Sequence, residues 1–310
     1  MSDVKSIIKK IPGITLIKQI FFALLYVLKT KSYKFLLKYP PGHFYSPIPN
    51  INDPSIAAYS DQATQELTGG LVLHSESQLH LLDDLSKYYK DLPFPRVPTK
   101  NSRYYFENDF FTYFDAITLY AMLRNLSPAN IIEIGSGYSS AVMLDTNNLF
   151  LSDKIKCTFI EPYPERLLRL LASKDRALHE IIQQPVQAVE VDTFRILNEG
   201  DILFVDSSHV SKSGSDVNYI LFEILPALNS GVIIHFHDVF WPFEYPKDWL
   251  LEGRAWNEAY LLRSFLQYNN SFDIIFFNSY ISHNYPEKLK DKMPLCLKDQ
   301  GGSIWLKKNI

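Results

Sequence analysis

Cysteine is almost missing from this chain: two residues, Cys157 and Cys296, in 310. They are far apart in sequence and offer no disulfide framework of the small secreted type, so a reduced, cytoplasmic protein is the simpler expectation. Neither sign of charge is in marked excess. With 31 basic and 34 acidic side chains the net charge is −3, which gives no generic attraction to nucleic acid. Long hydrophobic runs are lacking as well. The longest near the start, 20–28, lies between Lys18 and Lys29 and is too short to span a bilayer. It also sits too deep, with too little small-residue cleavage chemistry after it, for a secretory signal. No internal repeat and no low-complexity tract is present. What remains is ordinary globular composition, 46% hydrophobic and 21% charged, in a chain longer than one average domain. Its 19 Tyr and 21 Phe suit an enzyme with ring-lined pockets.

Residues 1–100 read as an N-terminal extension. Lysines at 5, 9, 10, 18, 29, 31, 34 and 38 face a single acid, Asp3, in the first forty positions. Apolar residues interleaved with them allow an amphipathic helix over 1–38, packed on the rest of the chain or lying on an anionic membrane surface. Residues 39–55 carry prolines that forbid a regular helix. Their His43, Phe44 and Tyr45 predict a loop that packs against something, because disordered linkers are poor in aromatics. A second proline-rich break, 92–98, closes this part.

From 101 to 310 the pattern becomes a regular alternation. Helices are predicted over 110–126, 139–149, 164–173 and 252–268, with another capped by Ser215 whose Val217, Ile220, Leu221, Ile224 and Leu225 recur at helical spacing. Strands are predicted over 130–135, 156–161, 187–191, 201–206, 231–237, 272–277 and 302–307. Strands this apolar between helices imply an α/β fold: a Rossmann-like, mostly parallel seven-stranded sheet with helices on both faces. The last two strands show no helix between them, which predicts an antiparallel final strand.

The first strand runs into Glu133-Ile134-Gly135-Ser136-Gly137-Tyr138-Ser139-Ser140 and then into a helix. Glycines there tolerate positive φ and let the backbone approach a ligand, and open α/β sheets bind ligands beyond the carboxyl ends of their strands. A dinucleotide loop requires a third glycine where this chain has Ser140, and no phosphate-anchoring lysine follows. Glu161, ending the second strand, can accept hydrogen bonds from two ribose hydroxyls. Glu133 can lie near cationic amino and sulfonium groups, and Asp192, just past the third strand, can accept from an adenine amino group.

The order of elements, the E-x-G-x-G loop and the acid ending the second strand resemble the class I S-adenosylmethionine-dependent methyltransferases over 101–310. Asp206-Ser207-Ser208-His209 and His237-Asp238 narrow the resemblance to metal-dependent bacterial sugar O-methyltransferases of the macrocin and mycinose type. It implies S-adenosylmethionine bound at Glu133, Gly135, Ser136, Gly137, Tyr138, Ser139 and Glu161. It also implies catalysis by Asp206 and His209, with His209 as base, and metal ligation at Asp206 and Asp238 with His237 alongside. Some relatives carry two adjacent acids where this chain has His237-Asp238, and imidazole suits Mg²⁺ less well than carboxylate does. Mg²⁺, Mn²⁺ or no metal are all open at this point. The chemistry itself needs such groups, because an alcohol is a weak nucleophile and its proton must go to a base.

The implied function is methyl transfer to a hydroxyl of a sugar or glycan acceptor. The loop 240–246 and the aromatic loop around His43 are candidate walls for that acceptor, and Arg254, Trp256 and Asn257 lie near the same rim. A nicotinamide-dependent oxidoreductase and a non-catalytic, membrane-associated ligand-binding module are the competing readings.

Overall fold

The computed structural model describes residues 20, 38–39, 42–50, 52–53, 69–100 and 102–310. The chain forms two compact units, Met1–Ile51 and Asn52–Ile310. In the first, 42–50 is a tight loop in which Gly42 N donates to the Ile48 carbonyl and Ser46 N to that of His43. The His43 ring stacks on Tyr39 and on Phe44. Apart from Ile20 and Lys38, the basic segment 1–38 lies outside the described residues.

The second unit is built on a seven-stranded sheet ordered β3-β2-β1-β4-β5-β7-β6. Its strands are β1 (Asn130–Ile134), β2 (Lys156–Ile160), β3 (Glu180–Ile182), β4 (Ile202–Val205), β5 (Ile233–Phe236), β6 (Phe272–Phe277) and β7 (Ile304–Lys308). All pairings from β3 to β5 are parallel, whereas β7 runs antiparallel to both β5 and β6. Every residue of β4 and β5 is buried, as a parallel sheet covered on both faces requires. Helices Tyr113–Leu126 and Tyr138–Phe150 cover part of it with ten and nine buried residues respectively. Helix Tyr113–Leu126 stops where Ser127 turns left-handed (φ 48°) just before Pro128. Within the sheet, His235 stacks on Phe204 and bonds Ser303 Oγ through Nε2 at 2.8 Å. It is a core histidine whose Nδ1 is buried without a hydrogen-bond partner among the described residues.

Several elements differ from the sequence reading. The third strand is Glu180–Ile182; the predicted stretch 187–191 is occupied by 3₁₀ turns, Val186–Ala188 and Val191–Ile196. Val186 and Val189 are buried three residues apart, the period of a 3₁₀ turn and not of a strand. The helix expected over 252–268 is Glu258–Leu266, because Gly253 turns at φ +86°. Between β6 and β7 the chain forms helices Asn278–Asn284 and Pro286–Lys292, yet β7 still returns antiparallel.

The stretch 69–100 packs with the same core as the sheet. In helix Ser75–Ser86, Leu82 and Leu85 are fully buried, and Phe94 packs edge-on against Tyr104 and Tyr120. No described helix is long and apolar enough to cross a membrane.

Candidate active site

Strand register aligns the site. Ile134 pairs with Ile160 on one side and Val205 on the other, and Val205 pairs with Phe236. The ladder continues one residue further: Gly135 N donates to Ile160 O, Asp206 N to Ile134 O and His237 N to Val205 O, at 2.8–3.0 Å. Gly135, Glu161, Asp206 and His237 therefore stand in one row at the carboxyl edge of the sheet, where such folds bind ligands. Gly135 has φ +80°, and a Cβ there would meet the Asp206 carbonyl oxygen at 1.9 Å. Only glycine lets the turn lie this close to β4.

Above the row opens a cleft of about 550 Å³, lined by residues that include Gly135, Ser136, Gly137, Tyr138, Ser139 and Glu161 on one side and Asp206, His237 and Asp238 on the other. Its volume falls within the ordinary range for small-ligand sites. Glu161 accepts from the backbone of Ser136 at 3.1 Å and of Tyr163 at 2.8 Å, which orients its carboxylate at the cleft wall. Asp109, Phe110, Phe111 and Arg166 add to the lining, with the rings of Phe110 and Tyr138 nearly parallel at 6.0 Å.

Two of the predicted cofactor-binding residues do not reach the cleft. Glu133 is fully buried beneath the turn, where Ser139 Oγ (2.5 Å) and Ser140 Oγ donate to its two oxygens. Burial pushes its carboxyl up to about 8, against the pull of those hydroxyls. Asp192 sits in the 3₁₀ turn Val191–Ile196, 86% exposed, paired with Arg195 at 2.9 Å. The misplaced third strand is the reason it is carried away. Ser140 Oγ also accepts from Gly137 N at 3.0 Å, so a side chain fills the place where a dinucleotide loop needs its third glycine.

At the far wall, Asp206, His209 and Asp238 each offer a ligand atom within 4.8 Å of one another. His209 Nε2 lies 3.4 Å from Asp206 Oδ1 and 3.5 Å from Asp238 Oδ2, while Nδ1 contacts Glu258 Oε2 at 2.9 Å. Glu258 is buried at the start of its helix and also accepts from Ser207 Oγ at 2.8 Å. Burial opposes the imidazolium of His209, but Asp206 and Glu258 outweigh it and raise its pKa to about 10. His237 is held well above the ordinary histidine value in the same way: burial opposes the charge, and the carboxylates of Asp238, Asp206 and Asp115 prevail. Its Nδ1 is buried without a hydrogen-bond partner, 3.5 Å from Asp206 Oδ1 and 3.7 Å from Asp238 Oδ1. The two carboxylates and the His209 imidazole converge, with the orphaned His237 nitrogen beside both carboxylates, and this donor set fits a divalent cation. Burial raises the Asp238 carboxyl above the ordinary aspartate value, against the pull of His237 and His209.

A second cavity of about 290 Å³ adjoins the cleft and shares Asp109, Phe110, His237, Asp238 and Trp249 with it. The loop 240–246, expected to wall an acceptor, turns inward: Phe243 and Tyr245 are buried, and Trp241 N donates to Ser279 Oγ. Phe240 alone of that loop reaches the second cavity. Trp249, Arg254 and Trp256 line the cleft instead. Glu258, Arg166 and Asp115 escaped the sequence reading: Glu258 closes on His209, 49 residues away, Asp115 on Asn278, 163 residues away, and Arg166 on the ring of Phe110.

Residues 132–239 match the profile of a methyltransferase domain family. Its bounds take in the last three residues of β1, the glycine turn, Glu161 and the acid–histidine cluster through Asp238. The chain belongs to the class I S-adenosylmethionine-dependent methyltransferases. A relative 37% identical over 172 residues is described only as an uncharacterized protein of Archaeoglobus fulgidus; the match takes in 53% of this chain and 76% of the relative. Among solved structures, similarity is found to the methyltransferase PaMTH1 of Podospora anserina bound to S-adenosylhomocysteine (14% identity, 84% of this chain and 97% of that one, TM-score 0.40). The O-methyltransferase TomG of Streptomyces achromogenes with S-adenosylmethionine is similar at 13% identity, over 83% and 97% of the two chains, TM-score 0.40.

Proposed function

We propose that the protein methylates a hydroxyl of a sugar or glycan precursor, with a divalent cation held by Asp206, His209 and Asp238. The observation that carries this reading is the convergence of those three side chains, two of which, Asp206 and Asp238, line the cleft together with the glycine turn and Glu161 while His209 stands buried behind them. Glu161 would take the ribose hydroxyls, and the turn at Gly135–Ser136–Gly137 would admit the amino-acid end of S-adenosylmethionine. When bound, S-adenosylmethionine supplies an electrophilic methyl group on a cationic sulfur. A divalent cation, when bound, lowers the pKa of a hydroxyl that approaches it.

The chain's own groups do the rest. Trp249 and Phe240 give the second cavity apolar faces on which a sugar ring stacks. The carboxylates of Asp109 and Asp299 there accept hydrogen bonds from hydroxyls. Asp238 lines both cavities, so a cation it helps to hold would face the attacking hydroxyl, whose proton leaves to a carboxylate of the second cavity outside the ligand set, Asp109 or Asp299. His209 suits the role of ligand better than that of free base: Nδ1 is committed to Glu258, an arrangement typical of metal-bound histidines, and without a cation the ring holds its proton at neutral pH. The mixed nitrogen and oxygen donors favour Mn²⁺ over Mg²⁺.

The test is incubation with methyl-labelled S-adenosylmethionine and a panel of monosaccharides and oligosaccharides, with Mn²⁺, with Mg²⁺ or with a chelator. Label appearing on a sugar oxygen, and disappearing with the chelator, is expected. Label on nitrogen or carbon acceptors only would refute the hydroxyl reading; turnover unaffected by chelation would refute the cation.

A further inference from the structure

The cofactor of this class carries one anionic group, the carboxylate of its methionine end. The cleft presents that group with acids: Asp109, Glu161, Asp206 and Asp238 all line it. A carboxylate enters such a place only where a cation receives it. Two arginines line the cleft among the described residues, Arg166 and Arg254. Arg254 is already engaged: its guanidinium lies 4.2 Å from the Trp249 ring and 5.1 Å from that of Trp256, and its Nε and Nη2 contact Glu252 Oε2 at 3.0 and 2.9 Å.

Arg166 is different. It lies over the Phe110 ring at 3.8 Å and makes no ion pair with an acid among the described residues. Its chain runs beside the glycine turn, so that a Cβ on Gly137 would stand 3.2 Å from Arg166 Cδ and 3.6 Å from Nη1. Gly137 caps the 13-residue helix Tyr138–Phe150. The first amides of a helix lack intrahelical acceptors and form its positive end, which favours an anion. An arginine without an acid partner and a helix N-terminus thus meet at the same turn.

We infer that Arg166, together with the N-terminus of helix Tyr138–Phe150, holds the carboxylate of the cofactor's methionine end and makes the cleft select for it. The planar guanidinium matches a carboxylate with two parallel hydrogen bonds, and stacking on Phe110 fixes its plane. The inference rests on the assignment of S-adenosylmethionine as ligand, and its test separates the two.

The experiment is calorimetric titration of the intact protein with S-adenosylmethionine and, separately, with its decarboxylated analogue. The same titrations are run on Arg166→Gln and Arg166→Lys. Arg166 is exposed, so the variants are expected to melt as the parent does, which a thermal scan checks. Arg166→Gln should weaken S-adenosylmethionine about 10–100-fold, with Arg166→Lys between. The decarboxylated analogue should bind parent and Arg166→Gln alike. Equal affinity of parent and Arg166→Gln for S-adenosylmethionine overturns the inference, as does an equal loss for both ligands. A rise only in the KM of an anionic acceptor overturns it too, by assigning Arg166 to the acceptor. Failure of the parent protein to bind either ligand would refute the cofactor assignment itself.

Discussion

Glu133 shows how far a side chain's role depends on one layer of packing. From the sequence it is an acid beside a glycine turn; in the fold it lies under that turn, with two serine hydroxyls on its oxygens. Its carboxyl is raised from 4.5 to about 8, so the folded state favours the protonated form. Its contribution to stability is fully present below about pH 4.5 and is lost as pH rises through 8. Glu133→Gln keeps the shape and removes the titration. Melting scans from pH 5 to 9 should show the parent losing stability relative to the variant across that window; parallel curves would contradict the buried acid. The acid–histidine cluster gives a second residue-level expectation. Glu258→Gln should weaken Mn²⁺ binding about 10–100-fold by releasing His209, and an unchanged Mn²⁺ titration would show that Glu258 does not orient it. Asp206→Asn should leave S-adenosylmethionine affinity nearly intact and lower turnover by roughly two orders of magnitude or more, measured by methyl transfer at saturating cofactor. The signatures around Gly135, Glu161, Asp206 and Asp238 were legible because each follows directly from an apolar strand. Glu258 was not, since nothing local in Trp256-Asn257-Glu258 tells that it closes on a histidine 49 residues earlier.

Among the elements, the glycine turn is the least replaceable. Gly135→Ala sets a Cβ against the Asp206 carbonyl at 1.9 Å in a left-handed backbone, so β1 and β4 must separate or the turn must unwind. A drop in melting temperature of about 5–10 °C is expected; an unchanged value would mean that the turn relaxes without cost. Apolar content fixed the existence of β1, β2, β4 and β5 from sequence, and their register then aligned the site. The third strand was misread because Val186 and Val189 supply an apolar run whose three-residue period only the fold distinguishes from alternation. The inward turn of Phe243 and Tyr245 was hidden for a related reason: an aromatic, proline-rich segment reads the same whether it walls a pocket or fills a core.

For the molecule as a whole, the second unit begins earlier than the alternating pattern suggests. Leu82, Leu85 and Phe94 are buried in the core that also holds Tyr104 and Tyr120, so that core needs the segment before residue 101. A chain beginning at Asn52 should unfold in one cooperative transition, while one beginning at Ser102 should lose it, having shed several fully buried side chains at about 2–5 kcal/mol each. Cooperative melting of the shorter chain would return the boundary to residue 100. The same core holds the carboxyl edges of β1, β2, β4 and β5 in register, and with them both walls of the cleft. Equilibrium dialysis of the intact protein against labelled S-adenosylmethionine, beside Glu161→Ala, interrogates that cleft most directly. One saturable site in the parent, weakened at least about tenfold in the variant, is the expected result. No saturable binding, or equal binding by the two proteins, would contradict it.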